Sequence, residues 1–169
     1  MRKEVLLSIV ILLSIFSACD QSGLNPNEYQ DPGFSGSIMV VGSIPPRDSV
    51  RDLRVVAVPY YPVDTTVADL IDKILNKQVI PFSESLSNNV APNTTLQYQM
   101  FVKPKTYYYV AVAQLYGINV FQDWRVVGIY GYSPSTPAPS PVVVVDGQMT
   151  KNVDITIDFY NLPPQPFKK

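Results

Sequence analysis

From Val153 to Phe159 the chain reads Val-Asp-Ile-Thr-Ile-Asp-Phe, apolar at every odd position and polar at every even one. A strand with one dry face and one wet face is the element that sorts such residues onto opposite sides. Shorter versions of this signature fill most of the chain beyond residue 36. Ile38 to Val41 is an apolar run ended by Gly42 and Pro45-Pro46, and Leu53 to Val58 is another, closed by Pro59. Leu96 to Val102 sets Gln97 and Gln99 against Tyr98, Met100 and Val102. Tyr107 to Ala113 and Trp124 to Tyr130 are aromatic and β-branched, and Val142 to Val145 runs into the turn pair Asp146-Gly147. Seven short strands separated by turn chemistry predict an all-β, antiparallel sandwich.

One stretch has a different period. Val67, Leu70, Ile71, Ile74 and Leu75 fall at i, i+3, i+4, i+7 and i+8, which predicts a single inserted helix over about residues 66–78. Thr66 is placed to cap it, Asp69 sits near the positive end of its dipole, and Pro81 bars continuation. Lys73 and Lys77 mark a polar side, so the helix is expected against a sheet edge or an open end of the sandwich. Its face is too sparsely basic for a membrane-surface helix. Ser83 to Thr95 reads as a loop, and Ser133 to Pro141, with four prolines in nine residues, as an exposed extended connection. Residues 161–169 form a Pro-rich tail.

The N-terminus is an address. Met1-Arg2-Lys3 is a basic start, and of the twelve residues Val5 to Phe16 only Ser8 and Ser14 are not apolar. As a helix this run would be roughly 18 Å long, short of the ~30 Å hydrocarbon core of a bilayer, which is the pattern of a secretory signal peptide. Phe16-Ser17-Ala18-Cys19 resembles a lipoprotein lipobox, with Phe where Leu is usual. Cys19 is also the one cysteine in the sequence. The resemblance implies removal of residues 1–18, a diacylglyceryl thioether on Cys19 and acylation of the new N-terminus. Two or three acyl chains suffice for stable anchoring. The expected place is then the cell envelope, on the outer-membrane, periplasmic or surface face, with the membrane as partner through that lipid. The alternatives are a secreted chain with a free thiol, or an uncleaved anchor. Residues 19–35, with Pro26 and Pro32 and no sustained apolar period, read as the lipidated Cys and a flexible tether. The β-domain is expected over 36–160.

The segments GSIMVVG (36–42), LRVVAVPY (53–60), VKPKTYYYVAV (102–112) and VVVVDGQMTKNVDITIDF (142–159) together resemble the carboxypeptidase regulatory-like domain. That domain is also described as transthyretin-like or starch-binding-like. Lys105 stands where its turn before the Thr-Tyr pair usually has Gly. The resemblance covers roughly residues 36–160, with the helix as an insertion. It implies a seven-stranded immunoglobulin/transthyretin-like sandwich used as an accessory module for binding, assembly or spacing.

Composition bears on the chemistry. The 169 residues include no histidine, which removes the commonest general base, the usual triad base and the commonest transition-metal ligand. It also sets aside, by resemblance, a histidine-dependent hydrolase branch of the transthyretin-like fold. Ser43, Ser49 and Ser83 sit in turn segments without a paired Lys motif, and Glu4, Glu28 and Glu84 are the only glutamates. With 8 glycines and no Gly-rich loop after a strand, a phosphate cradle is not expected. A net charge of -1 supplies no attraction to nucleic acid. Asn119 and Asp123 share one loop, but no third or fourth acid joins them, so neither a metal nor a cofactor is expected. The aromatics Phe121, Trp124, Tyr130 and Tyr132, with Tyr116 nearby, read either as core filling or as a platform for stacking sugar rings. The expectation is a non-catalytic module with structural or protein-interaction roles in the envelope, partnering other envelope proteins, for instance by strand addition. The alternative is a carbohydrate-binding module that uses the aromatics around Trp124.

Overall fold

A computed structural model describes residues 29–63, 66–75 and 81–167. The expected signal peptide, Cys19 and most of the expected tether lie outside them. The strands are β1 (Gly33–Val40), β2 (Asp52–Val58), β3 (Thr95–Phe101), β4 (Lys105–Tyr107), β5 (Tyr109–Leu115), β6 (Trp124–Ile129), β7 (Val142–Val144), β8 (Met149–Thr150) and β9 (Ile155–Ile157). Helix α1 (Val67–Leu75) lies between β2 and β3. Its N-terminus is built as its sequence requires: the Thr66 hydroxyl accepts the Asp69 N–H at 3.1 Å, and the Thr66 carbonyl accepts the Leu70 N–H at 3.1 Å. Residues 76–78 of the expected helix fall outside the described residues.

The strands form several open sheets. In one, β1 pairs antiparallel with β3, setting Ile38 opposite Leu96, and takes β8 and β9 along its other side. In the second, β5 lies between β2 and β6, with Val55 opposite Val112 and Ala111 opposite Ile129. The third is the pair β4–β7. Each expected strand is present, but the antiparallel expectation does not hold throughout: β8 and β9 run parallel to β1. Tight turns impose antiparallel pairing only on neighbours in sequence, and more than a hundred residues separate β1 from β9.

The main core lies between the first two sheets. Phe34 and Ile38 of β1, Leu53 and Val55 of β2, Val110 and Val112 of β5, and Ile155 and Ile157 of β9 meet there, all essentially inaccessible to water. Gly128 of β6 lets the sheets approach: a Cβ there would overlap the Thr156 carbonyl and the Ile157 side chain. Asp154 ties the approach to β9 onto β1, its Oδ1 accepting the Ser37 N–H at 2.8 Å and the Ser37 hydroxyl at 2.7 Å.

The β2–β5–β6 sheet is buried on its other face as well. Val56, Val58, Ala111, Ala113, Val126 and Ile129 form a second apolar layer with Val63 and Leu70, against which Ile74 and Phe167 pack. Helix α1 therefore covers a sheet face rather than an edge or open end. All seven positions of β5 are buried, the mark of a strand covered on both sides. An apolar outer layer exposed to water would be a liability, and α1 is what hides it.

The expected single run 107–113 divides at Tyr108 into β4 and β5. In a continuous strand, residues 107 and 109 would share a face. The break lets Tyr107 enter the main core, its hydroxyl donating to the Lys103 carbonyl at 3.1 Å, while Tyr109 joins the layer beneath α1.

Both ends of the expected domain are longer in the structure. β1 begins at Gly33, and ahead of it Gln30 N–H donates to the Gly147 carbonyl, while Val102 N–H donates to that of Pro32. At the other end, the Gln165 side chain accepts the Val126 N–H at 2.8 Å and donates to the Val126 carbonyl at 2.9 Å.

Candidate ligand cavity

Between α1 and the outer face of β2–β5–β6 lies a cavity of about 470 Å³, within the range of small-molecule sites. Strand alternation builds its floor. Residues 52, 54, 56 and 58 of β2 point to this face, joined by Tyr109 and Ala113 of β5 and Trp124 and Val126 of β6. The helical stripe builds the roof from Val67, Leu70, Ile71, Ile74 and Leu75. Phe82, Val120, Phe121 and Phe167 complete the walls. The space exists because branched side chains of a helix face a floor that includes the small Ala113.

Polar residues enter this lining at two places. At one end, Arg54 Nε donates to Asp52 Oδ2 at 2.7 Å and Nη1 donates to the Ser83 carbonyl at 3.1 Å. The Arg54 guanidinium also lies over the Phe82 ring, 5.0 Å from its centroid. The two charges cancel where they stand. Tyr109 lines the other end, with its hydroxyl buried out of reach of water. Tyr109 is 3% exposed, stacks on Tyr61 with ring centroids 6.0 Å apart, and its hydroxyl has no hydrogen-bond partner among the described residues. Burial, with the neighbouring Tyr61 phenol adding to it, pushes its pKa far above the ordinary tyrosine range, so the group is a neutral hydroxyl. Tyr109 is opposite Val58, and Ala113 is opposite Arg54. Four residues of strand thus separate the backbone positions of Arg54 and Tyr109, about 13 Å.

The structure divides the aromatic candidates. Trp124 and Phe121 line the cavity. The indole N–H of Trp124 donates to the Val120 carbonyl at 2.9 Å, which fixes the ring in the β5–β6 connection and leaves it no free donor. Tyr132 packs against the layer beneath α1 without lining the cavity, and Tyr130 packs against the main core between the sheets. The four do not form one platform. Phe121 is half exposed, and Ile118 at the turn is 82% exposed. The oxygens of Asn119 and Asp123 accept backbone N–H groups of their own turn, Phe121 to Asn119 Oδ1 at 3.0 Å and Asn119 to Asp123 Oδ2 at 2.8 Å. Among the described residues no three His, Cys, Asp or Glu side chains converge.

Tyr109 and Arg54 are not among the residues singled out from the sequence. The signal for Tyr109 is the apolar run Tyr109 to Ala113 that opens β5, which marks a strand covered on both faces. The chain matches no family model, no curated protein and no solved structure with which it was compared. No helix among the described residues is long and apolar enough to cross a membrane.

Proposed function

We propose that the chain is a lipid-anchored lipoprotein of the cell envelope whose β-domain, a sandwich of the carboxypeptidase regulatory-like kind, is a non-catalytic module that binds an apolar small molecule beneath α1. The observation that carries the binding role is the 470 Å³ cavity and its lining of Val, Leu, Ile and aromatic side chains. Apolar surface moved from water into such a space is stabilised by about 25 cal/mol per Å². The lipobox-like Phe16-Ser17-Ala18-Cys19 supports the anchor, and the two open sheets packed across one core support the sandwich.

The same lining argues against a sugar as occupant. A sugar ring needs a ring of polar partners to replace water, and one internally paired Arg54–Asp52 couple and one phenol do not provide it. Stacking on Trp124 and Phe121 is the feature that keeps the carbohydrate reading in play.

Trp124 is the one tryptophan in the sequence and lines the cavity, so its emission is a built-in reporter. Decane is expected to shift that emission saturably. Ala113→Leu, which fills part of the floor, is expected to weaken the titration at least tenfold while the chain still melts cooperatively. An emission that ignores decane overturns the binding role; retention on a glycan column that Trp124→Ala abolishes would instead favour the sugar.

A further inference from the structure

We propose that two copies of this chain pair through the outer edge of β3, antiparallel about a two-fold axis at Tyr98, so that the β3–β1 sheet runs on from one copy into the other. The proposal is independent of the cavity and of the anchor.

The first ground is the direction of the β3 backbone. Val40 N–H donates to the Thr94 carbonyl and Val102 N–H to that of Pro32. Between them the register runs without a bulge, from Gly33 opposite Phe101 to Met39 opposite Thr95. Successive residues of an antiparallel strand turn their N–H and C=O groups to alternate sides. Leu96, Tyr98 and Met100 therefore bond to β1, while Thr95, Gln97, Gln99 and Phe101 turn theirs outward. β3 ends its sheet, and among the described residues no hydrogen bond reaches those outward groups. The flanks of the other sheet are covered, by Ser83 on Val55 of β2 and by Gln165 on Val126 of β6.

The second ground is what this edge lacks. Exposed edges are commonly blunted by charges, a proline or a bulge. Thr95–Phe101 reads Thr-Leu-Gln-Tyr-Gln-Met-Phe and has none of these. The four residues that bond outward also have exposed side chains, with Phe101 63% exposed.

Self-complementarity makes the occupant a second copy. A two-fold axis at Tyr98 sets Gln97 opposite Gln99 of the second copy, and Thr95 opposite its Phe101. Each outward-bonding residue then meets another over the whole strand. That makes four rows of two bonds, about eight in all, against roughly ten in a typical protein–protein interface. An amide both donates and accepts, so the two glutamine rows can bond side chain to side chain. The strand carries no charge, so the axis sets no like charges face to face. Lys103 falls beyond the strand, level with Asn93 of the second copy. Pairing of this isologous kind uses up one edge from each copy and stops at two.

The test is sedimentation equilibrium of the full chain carrying Cys19→Ser, so that neither a lipid nor a disulfide joins copies. The chain is expected to reach a dimer and no higher species. Gln97→Lys with Gln99→Lys puts like charges opposite each other in both rows and is expected to weaken the dimer on the order of tenfold. Gln97→Lys with Gln99→Glu puts opposite charges there and is expected to restore it. Both variants are expected to melt cooperatively, because the two side chains are exposed. A chain that stays monomeric up to about 1 mM, the weak end of specific association, overturns the proposal. So does a dimer that ignores the paired lysines, since it is joined elsewhere, or one that the Lys–Glu combination fails to restore. Polymers in place of a dimer overturn the closed pairing.

Discussion

Tyr107, Tyr108 and Tyr109 are consecutive and chemically identical, yet each has a different fate. Tyr107 fills the main core and donates to Lys103, Tyr108 is half exposed, and Tyr109 joins the layer beneath α1, its buried hydroxyl without a partner among the described residues. Composition could mark all three as strand residues, but only the break between β4 and β5 decides which layer each enters. Asp154 shows the opposite case, a residue whose role follows directly from its place. Ser37, through its hydroxyl and its backbone N–H, holds the Asp154 carboxyl below the usual carboxylate range. A lowered folded-state pKa contributes stability that is present above the unfolded value, about 3.9, and is lost as pH falls through the folded value. Asp154→Asn is therefore expected to melt at a lower temperature than the parent chain at pH 7, and the gap is expected to close below about pH 4. A thermal-melt series across pH checks this. Because the carboxylate is exposed, the gap is expected to be small and to shrink further in high salt.

Among the elements, those with a strong local period were legible in advance. The i, i+3, i+4 stripe and the Thr66 cap marked α1, and alternation marked β3 and β9. What local period does not encode is the surface an element meets. The polar side marked by Lys73 and Lys77 points to a place at a sheet edge or an open end, whereas here the outer face of β2–β5–β6 is apolar and α1 lies on it. The cavity is a property of that pairing, so its aromatic wall at Trp124 and Phe121 was visible in sequence while its floor residues Arg54 and Tyr109 were not. Contact between β6 and β9 has an equally specific requirement in Gly128. Gly128→Ala forces a methyl group against the Thr156 carbonyl. The expected loss is about 1–3 kcal/mol, measured as a lower denaturant midpoint with the slope unchanged. A midpoint equal to that of the parent would show that the two sheets can slide apart at no cost.

At the scale of the whole molecule, strand content was readable and strand direction was not. β1 and β9 meet across most of the sequence, and no turn between them dictates whether they run parallel. The proposed anchor also belongs to this scale, since it fixes where the domain works. Cys19→Ser is expected to abolish labelling by a tagged fatty acid and to release the protein from the membrane fraction; labelling that survives overturns the lipobox reading. The position of Gln165 has its own consequence. Its amide occupies both hydrogen-bonding groups of Val126 on β6, much as a neighbouring strand would. On the opposite flank of that sheet, Ser83 and Phe82 do the same for β2. A sheet rich in valine with open flanks would recruit copies of itself and grow into fibres. In this chain, protection against self-templating on the β6 flank falls to the Gln165 amide on Val126 together with the Asp158 N–H on the Val127 carbonyl.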